Sequence, residues 1–489
     1  MRAPRSLVLV TIDCFRADHA GFLGYSRPTT PFLDCLAAES TVFKNAVATG
    51  SPTYYSLPGL LASRPPLALG RDLLGIAPEE NTIASVLRES GFRTAAFSAG
   101  NPYISARFGY EQGFEVFRDF SGTEVPRLDP GSSDDRMRTR ANQWLSWACH
   151  TFRPLGMAYD EIYFEYCQRL RRGKEKSLDS LRRFPAADII VDHAIAWLRE
   201  NTRAPFFLWL HLMDPHSPYF PKPQALGQMG EKVSSREARY LNSYWARGDV
   251  TPRQLGKKKD AIVRLYDAGI RWADEQLRRL CEQLIELTIW DKCMLAVTAD
   301  HGEEFLEHDG RFHPPEKLAE ELIHVPLLTR VPGQSRLEIE RPCSLLDLAP
   351  TLLDFLEIPA PADFRGRSLR PLVEGRAAPD RPVITECVRG CTNPFHPENR
   401  AGARILAVRQ GDFKLVIDFA AGAEQLFDLR SDPSERNPLP VDTEKPVRKR
   451  LLECAKRHVA ESHQSRDFDR RHASRLRDLR LEWAHPAAS

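Results

Sequence analysis

Leu7-Val8-Leu9-Val10-Thr11-Ile12-Asp13 and Leu295-Ala296-Val297-Thr298-Ala299-Asp300-His301-Gly302-Glu303 are two apolar runs that each close on a carboxylate. Short β-branched runs of this kind predict buried parallel strands. Residues that follow such strands collect at the carboxyl edge of the sheet, where open α/β folds place their ligands. Two aspartates and a histidine meeting there suit a divalent metal with oxygen and imidazole ligands. Taken singly, either aspartate also suits an ordinary cap on the next helix.

Around these runs the chain alternates strand and helix. Thr30-Pro31 to Glu39 is helix-like, Thr82 to Glu89 has helical apolar spacing ended by Gly91, and Thr94-Ala95-Ala96-Phe97 is a short strand. Ala187 to Leu198 predicts a helix, Phe206 to Leu210 a strand, and Ile262 to Leu287 a long helix. This order predicts an α/β fold with a large, mainly parallel sheet sandwiched by helices. Beyond Pro332-Gly333 the runs at Val383, Ile405 and Lys414 predict shorter antiparallel strands. We therefore divide the chain into a catalytic domain over 1–335, with a helical insertion at about 103–185, a C-terminal α+β subdomain over 336–440, and a basic helical tail over 441–489.

Composition narrows the function classes. At 489 residues the chain exceeds one ordinary core, and 42% hydrophobic with 27% charged residues is globular rather than disordered. A net charge of +2 gives no reason to expect a nucleic-acid partner. The basic residues near the end are diluted by acidic ones and read as a solvated helical face. No segment approaches the roughly 18 uninterrupted apolar residues of a membrane span. Asp13 comes too soon for a signal-peptide core, and the ten cysteines show no C-x-x-C pair, so reduced thiols and a cytoplasmic location are expected. Nothing in the composition sets an oligomeric state.

Ordered blocks then carry a family resemblance. Leu9-Val10-Thr11-Ile12-Asp13-Cys14-Phe15-Arg16-Ala17-Asp18-His19, Thr30-Pro31-Phe32-Leu33-Asp34, His211-Leu212-Met213-Asp214-Pro215-His216-Ser217-Pro218-Tyr219, and Thr298-Ala299-Asp300-His301-Gly302-Glu303 follow one another. Leu346-Asp347-Leu348-Ala349-Pro350-Thr351, Gly366-Arg367-Ser368-Leu369 and Leu426-Phe427-Asp428-Leu429 complete the series. From Leu7 to about Asn437, apart from the insertion, the chain resembles the sulfatase family of the alkaline phosphatase superfamily. The resemblance implies an alkaline phosphatase-like fold and hydrolysis of sulfuric or phosphoric esters, phosphodiesters included, on a small anionic substrate.

The resemblance also places residues. It implies a metal held by Asp13, Asp300 and His301, with the Thr53 oxygen completing the shell. His301 suits zinc or manganese better than calcium or magnesium. His211, His216 and His313 fall where the anion is held or the leaving oxygen protonated. Arg16, Arg64 and His308 fall among the substrate-binding positions, although either arginine could equally form a salt bridge. Two departures stand out. The family's nucleophile is a cysteine or serine oxidised to formylglycine, and here that position is Thr53, with Leu57 in place of the motif arginine. Cys14 occupies the place of a second acidic ligand and reads as a small buried side chain behind the strand, with soft metal ligation as the other reading.

Threonine cannot become formylglycine. It can still attack as a metal-activated alkoxide and pass through a phosphothreonine. Three functions remain: an ester hydrolase using Thr53, a phospho-group transferase using Thr53, and a non-catalytic anion- or partner-binding relative.

Overall fold

In the computed structural model, which describes residues 4–71, 73–121, 161, 162, 164–166 and 177–462, the first apolar run is β1 (Ser6–Ile12), every residue of it buried. Most of the 103–185 insertion and the basic residues beyond Ser462 lie outside the described residues. With β2 (Thr41–Val47), β3 (Arg93–Ser98), β4 (Val116–Arg118), β5 (Phe206–Leu212), β6 (Cys293–Thr298), β9 (His324–Arg330), β10 (Leu337–Ile339) and β11 (Cys343–Ser344), β1 forms a nine-stranded sheet. The two-residue strands β7 (Glu304–Phe305) and β8 (Arg311–Phe312) make a separate ribbon.

β1 lies between β5 and β6 and runs parallel to both. β3 extends the parallel set beyond β5, whereas β9 is antiparallel to β6 and to β2. A strand with helices over both faces has no solvent side, which is why Leu7, Val8, Leu9 and Val10 are apolar without alternation. Fully burying four such side chains contributes roughly 1.5–3 kcal/mol each.

The helices differ from the sequence expectation mainly at their ends. The long helix runs Pro252–Glu286, ten residues earlier than its apolar periodicity indicates. Lys257, Lys258, Lys259 and Asp260 carry no apolar stripe, but Thr251 and Gln254 form a capping box and Pro252 opens the first turn. β5 likewise runs on to Leu212, which puts His211 inside the strand.

The C-terminal sheet is a meander of β12 (Val383–Val388), β13 (Arg404–Gln410), β14 (Phe413–Asp418) and β15 (Ala423–Asp428). The helix Lys445–Glu461 lays Leu451, Leu452, Ala455 and Val459 on Leu406, Val408, Leu415 and Ile417 of that sheet. Arg448 is buried and donates to Glu424 at 2.6 Å. Up to Glu461, then, this basic stretch is a packed layer and not only a solvated face.

Candidate active site

Parallel register builds the site. Thr11 stands opposite His211 on one side and Thr298 on the other, so the residues leaving β1, β5 and β6 converge. The Asp13 amide still donates to Leu212 O at 2.8 Å, which fixes the carboxylate just past the sheet edge. Asp13, Asp300 and His301 are wholly buried there. Gly302 is required by close approach, because a Cβ there would lie 2.0 Å from Glu321 O.

Thr53 opens the helix Thr53–Ala62. Pro52 is the N-cap and receives no side-chain cap bond, so Thr53 is free of the capping role. Its Oγ1 lies 3.2 Å from His301 Nε2 and 3.4 Å from Asp13 Oδ2. The first-turn amides and the positive end of the helix dipole favour an anion at this position. His301 Nδ1 donates to Gly302 O at 2.8 Å. A carbonyl only accepts, so in the neutral ring Nε2 keeps its lone pair turned to Thr53.

His211 is wholly buried behind Asp13. Its Nε2 lies 3.2 Å from Asp13 Oδ2 and its Nδ1 2.8 Å from Thr11 Oγ1. The carboxylate accepts only, so Nε2–H donates to it, while the Thr11 hydroxyl stands between Nδ1 and Leu210 O, 3.2 Å away. This geometry makes His211 a positioning group for Asp13 rather than a substrate contact. Burial alone would push Asp13 up, but His216, His211 and His301 outweigh it and hold the carboxyl well below the usual range.

His216 and His313 keep part of their surface open and stand at the mouth, with ring centroids 5.1 Å apart. His313 is also 4.8 Å from the His301 ring. Burial lowers the pKa of His216 against the pull of Asp13. Burial acts the same way on His313, but Glu303 outweighs it and raises the value.

Cys14 corrects the sequence expectation. It is buried as expected, but its φ of 60° turns the chain left-handed and its side chain faces Asp13 and His313 instead of the back of the strand. Sγ donates to Asp13 Oδ1 at 3.0 Å and lies 3.5 Å from His313 Nδ1. Burial, then Glu303, Asp13 and Asp300, raise its thiol well above the ordinary value.

Three predicted residues are committed elsewhere. Arg16 donates to Asp18, to Glu307 at 3.0 Å and to Glu303 O at 2.9 Å, so it braces the loop after Asp300. Arg64 is ion-paired with Glu80 and donates to Gly75 O at 2.7 Å. His308 binds Glu321 at 2.6 Å and faces Glu435 O at 3.3 Å. One contributor had escaped the sequence reading as a site residue. Asn101 follows β3 at the same sheet edge and donates from Nδ2 to Asp13 Oδ2 at 2.9 Å. Its position just beyond a predicted strand was the available signal.

The donor set fits a divalent cation. His301 Nε2 lies 3.8 Å from Asp13 Oδ1 and 3.6 Å from Asp300 Oδ2, which brings one donor of each residue around a common point. Asp300 Oδ2 is buried without a hydrogen-bond partner, a costly arrangement that a cation would relieve.

The family model described as Sulfatase matches residues 5–358, and one described as N-sulphoglucosamine sulphohydrolase, C-terminal, matches residues 307–461. With most of its length under the first of these, the chain belongs to the sulfatase family and is an ester hydrolase of that class. Arylsulfatase K of Mus musculus is 30% identical over 466 residues, covering 88% of this chain and 75% of that protein. An arylsulfatase of Clostridium perfringens is 26% identical over 491 residues, covering 88% and 89%. Among solved structures, BT4656 in complex with its substrate D-glucosamine-2-N,6-O-disulfate superposes with TM-score 0.68 at 19% identity, covering 96% of this chain and 99% of that one. A phosphonate monoester hydrolase of Agrobacterium radiobacter gives 0.63 at 18%, covering 94% and 95%. At these identities the two structures attest the fold alone. Among the described residues no helix is long and apolar enough to cross a membrane.

Proposed function

We propose that this chain is a divalent-metal-dependent hydrolase of small sulfate or phosphate esters in which Thr53 is the nucleophile. The observation that carries this reading is the placement of Thr53 Oγ1 between Asp13 and His301, outside any capping role. A divalent cation held by Asp13, Asp300 and His301 would lower the pKa of an adjacent oxygen and draw charge from the ester. Thr53 supplies the attacking oxygen and its hydroxyl proton passes to Asp13 Oδ2, 3.4 Å away. The helix N-terminus faces the developing anion. His216 and His313, at the mouth, stand where an ester oxygen would leave.

The nucleophile type bears on the ester. A formylglycine hydrate expels sulfate by collapsing to the aldehyde, because its second oxygen drives the departure. Threonine has no second oxygen, so release requires water to attack sulfur or phosphorus directly. Phosphoryl intermediates accept such attack, which favours a phosphoester, whereas the names of the relatives favour a sulfate ester.

The test uses the purified full chain on an aryl sulfate, an aryl phosphate monoester and an aryl phosphodiester, after chelation and after return of zinc, manganese, calcium or magnesium. Metal-dependent turnover that Thr53→Ala abolishes, at unchanged melting temperature, supports the reading. Full activity in Thr53→Ala rejects it.

A further inference from the structure

We infer that the pocket holds a second cation site, built from the Cys14 thiolate, His216 and His313 with Glu303 beside them, and suited to zinc. It rests on the proposed function only in sharing its pocket, since none of its donors is Thr53, Asp300 or His301.

The donors of Cys14, His216 and His313 lie within 4.8 Å of one another. A tetrahedral zinc with bonds of about 2.0–2.3 Å holds its ligands about 3.5 Å apart. The separation of Cys14 Sγ and His313 Nδ1 is already 3.5 Å. His216 Nδ1 donates to Ser217 O at 2.5 Å, which leaves Nε2 as the ligating nitrogen and supplies the outer-shell bond that orients metal-binding imidazoles. A thiolate and two imidazoles select zinc over calcium or magnesium.

Charge gives an independent reason. Asp13, Asp300 and Glu303 are all wholly buried. The ion-pair partners recorded for them are imidazoles: His211 and His301 for Asp13, His301 for Asp300, and His313 for Glu303 at 3.4 Å. Both carboxylate oxygens of Glu303 are buried, with no close hydrogen bond and with Tyr219 and His313 as polar neighbours. Arg16 reaches only the backbone oxygen of Glu303 and spends its other donors on Asp18 and Glu307. Buried carboxylates with no permanent cation beside them are costly. One divalent ion offsets two of them, and the third, with the Cys14 thiolate, matches another.

Binding requires the Cys14 S–H to lose its proton to solvent as the sulfur–metal bond forms, so uptake releases a proton. Asp13 stands between the two sets, with Oδ1 3.0 Å from Cys14 Sγ and Oδ2 3.4 Å from Thr53 Oγ1. A second ion here would face the ester from the side of His216 and His313.

The experiment loads the full chain with zinc, removes free metal and counts bound ions. A parallel cobalt-loaded sample is read for the near-ultraviolet thiolate-to-cobalt charge-transfer band. Expected are two ions per chain in the wild type and one in Cys14→Ser, with loss of the band. His313→Gln, a second variant in case the first misfolds, is expected to weaken zinc affinity about tenfold or more at one site. Thr53→Ala should keep both ions whatever it does to turnover, which separates this inference from the identity of the nucleophile. A single ion without the band would mean that His313 meets Glu303 as a protonated imidazolium, and would overturn the inference. So would a single thiolate-bound ion shared with Asp13, or two ions indifferent to Cys14→Ser.

Discussion

Asn101 Nδ2 donates to Asp13 Oδ2 at 2.9 Å and lies 3.4 Å from Thr53 Oγ1, so one amide touches both the acidic ligand and the proposed nucleophile. Its Oδ1 accepts the Tyr103 amide at 3.0 Å, which holds the side chain in that orientation. Asn101→Ala removes a hydrogen bond to a charged group, worth about 1.5–3 kcal/mol. We expect kcat/KM to fall roughly tenfold to a hundredfold with little change in melting temperature. A steady-state comparison of the two proteins checks this.

His211 should matter through affinity for the metal. His211→Ala leaves Asp13 Oδ2 without the imidazole donor 3.2 Å away and opens a cavity beside Thr11. Losing an outer-shell partner typically costs 10–100-fold in metal affinity. Competition with a chelator reads the loss, and His211→Gln, which can still donate, should recover part of it.

The two layers are joined by a buried ion cluster whose failure should be acidic. Glu320 accepts from Lys414 at 3.0 Å and Arg409 at 2.8 Å, and Lys414 also meets Glu435 at 2.8 Å. Burial opposes ionisation of Glu320, but Lys414 and Arg409 outweigh it and pull its carboxyl down to about 2. A folded value below the unfolded one gives stability that is complete above about pH 4.5 and drains away as pH falls toward 2. Lys414→Met leaves Glu435 without its cation and Glu320 with Arg409 alone, and should cost about 3–5 kcal/mol. Melting curves across pH 3–7 for both proteins show whether the acid slope follows Glu320.

His308 should act in the opposite sense. The Glu321 hydrogen bond at 2.6 Å outweighs partial burial and raises its pKa above 6.5. A raised folded value stabilises fully below the unfolded pKa, and the contribution is lost as pH rises through the folded one. Urea midpoints should therefore drop between pH 6 and pH 9, and His308→Gln should flatten that drop.

Chelation should lower stability as well as activity. Asp13 and Asp300 are buried side by side with His301, and a bound cation offsets their charge only in the folded chain. The melting temperature is expected to fall on chelation and to recover on return of metal, in Thr53→Ala as in the wild type.

The parallel core was legible because a strand covered on both faces is apolar almost throughout, and Leu7 to Ile12 and Leu295 to Ala299 are apolar but for Thr11 and Thr298. The convergence of Asp13, Asp300 and His301 was legible from strand ends, whereas Thr53, at the start of a helix, joined them only through the family resemblance. Side-chain direction was not. Cys14 departs from the expected position because its left-handed backbone turns Sγ into the pocket, a property invisible in a string of letters. For Arg16 and Arg64 the salt-bridge alternative holds: Asp18 lies two residues from Arg16, but the partners Glu307 and Glu80 are distant in sequence and could not be named from it.

β1 has its two neighbours about 200 and 290 residues downstream, at β5 and β6. During synthesis, then, the first strand made must wait for nearly two-thirds of the chain before its second edge is covered. Until residues 293–298 emerge, a strand apolar except for Ser6 and Thr11 carries an open rim of unpaired amides, the arrangement most prone to pair with another nascent chain. Production of this protein should accordingly be limited by protection of that early strand, and truncations ending before Cys293 should collect as aggregates instead of soluble domains.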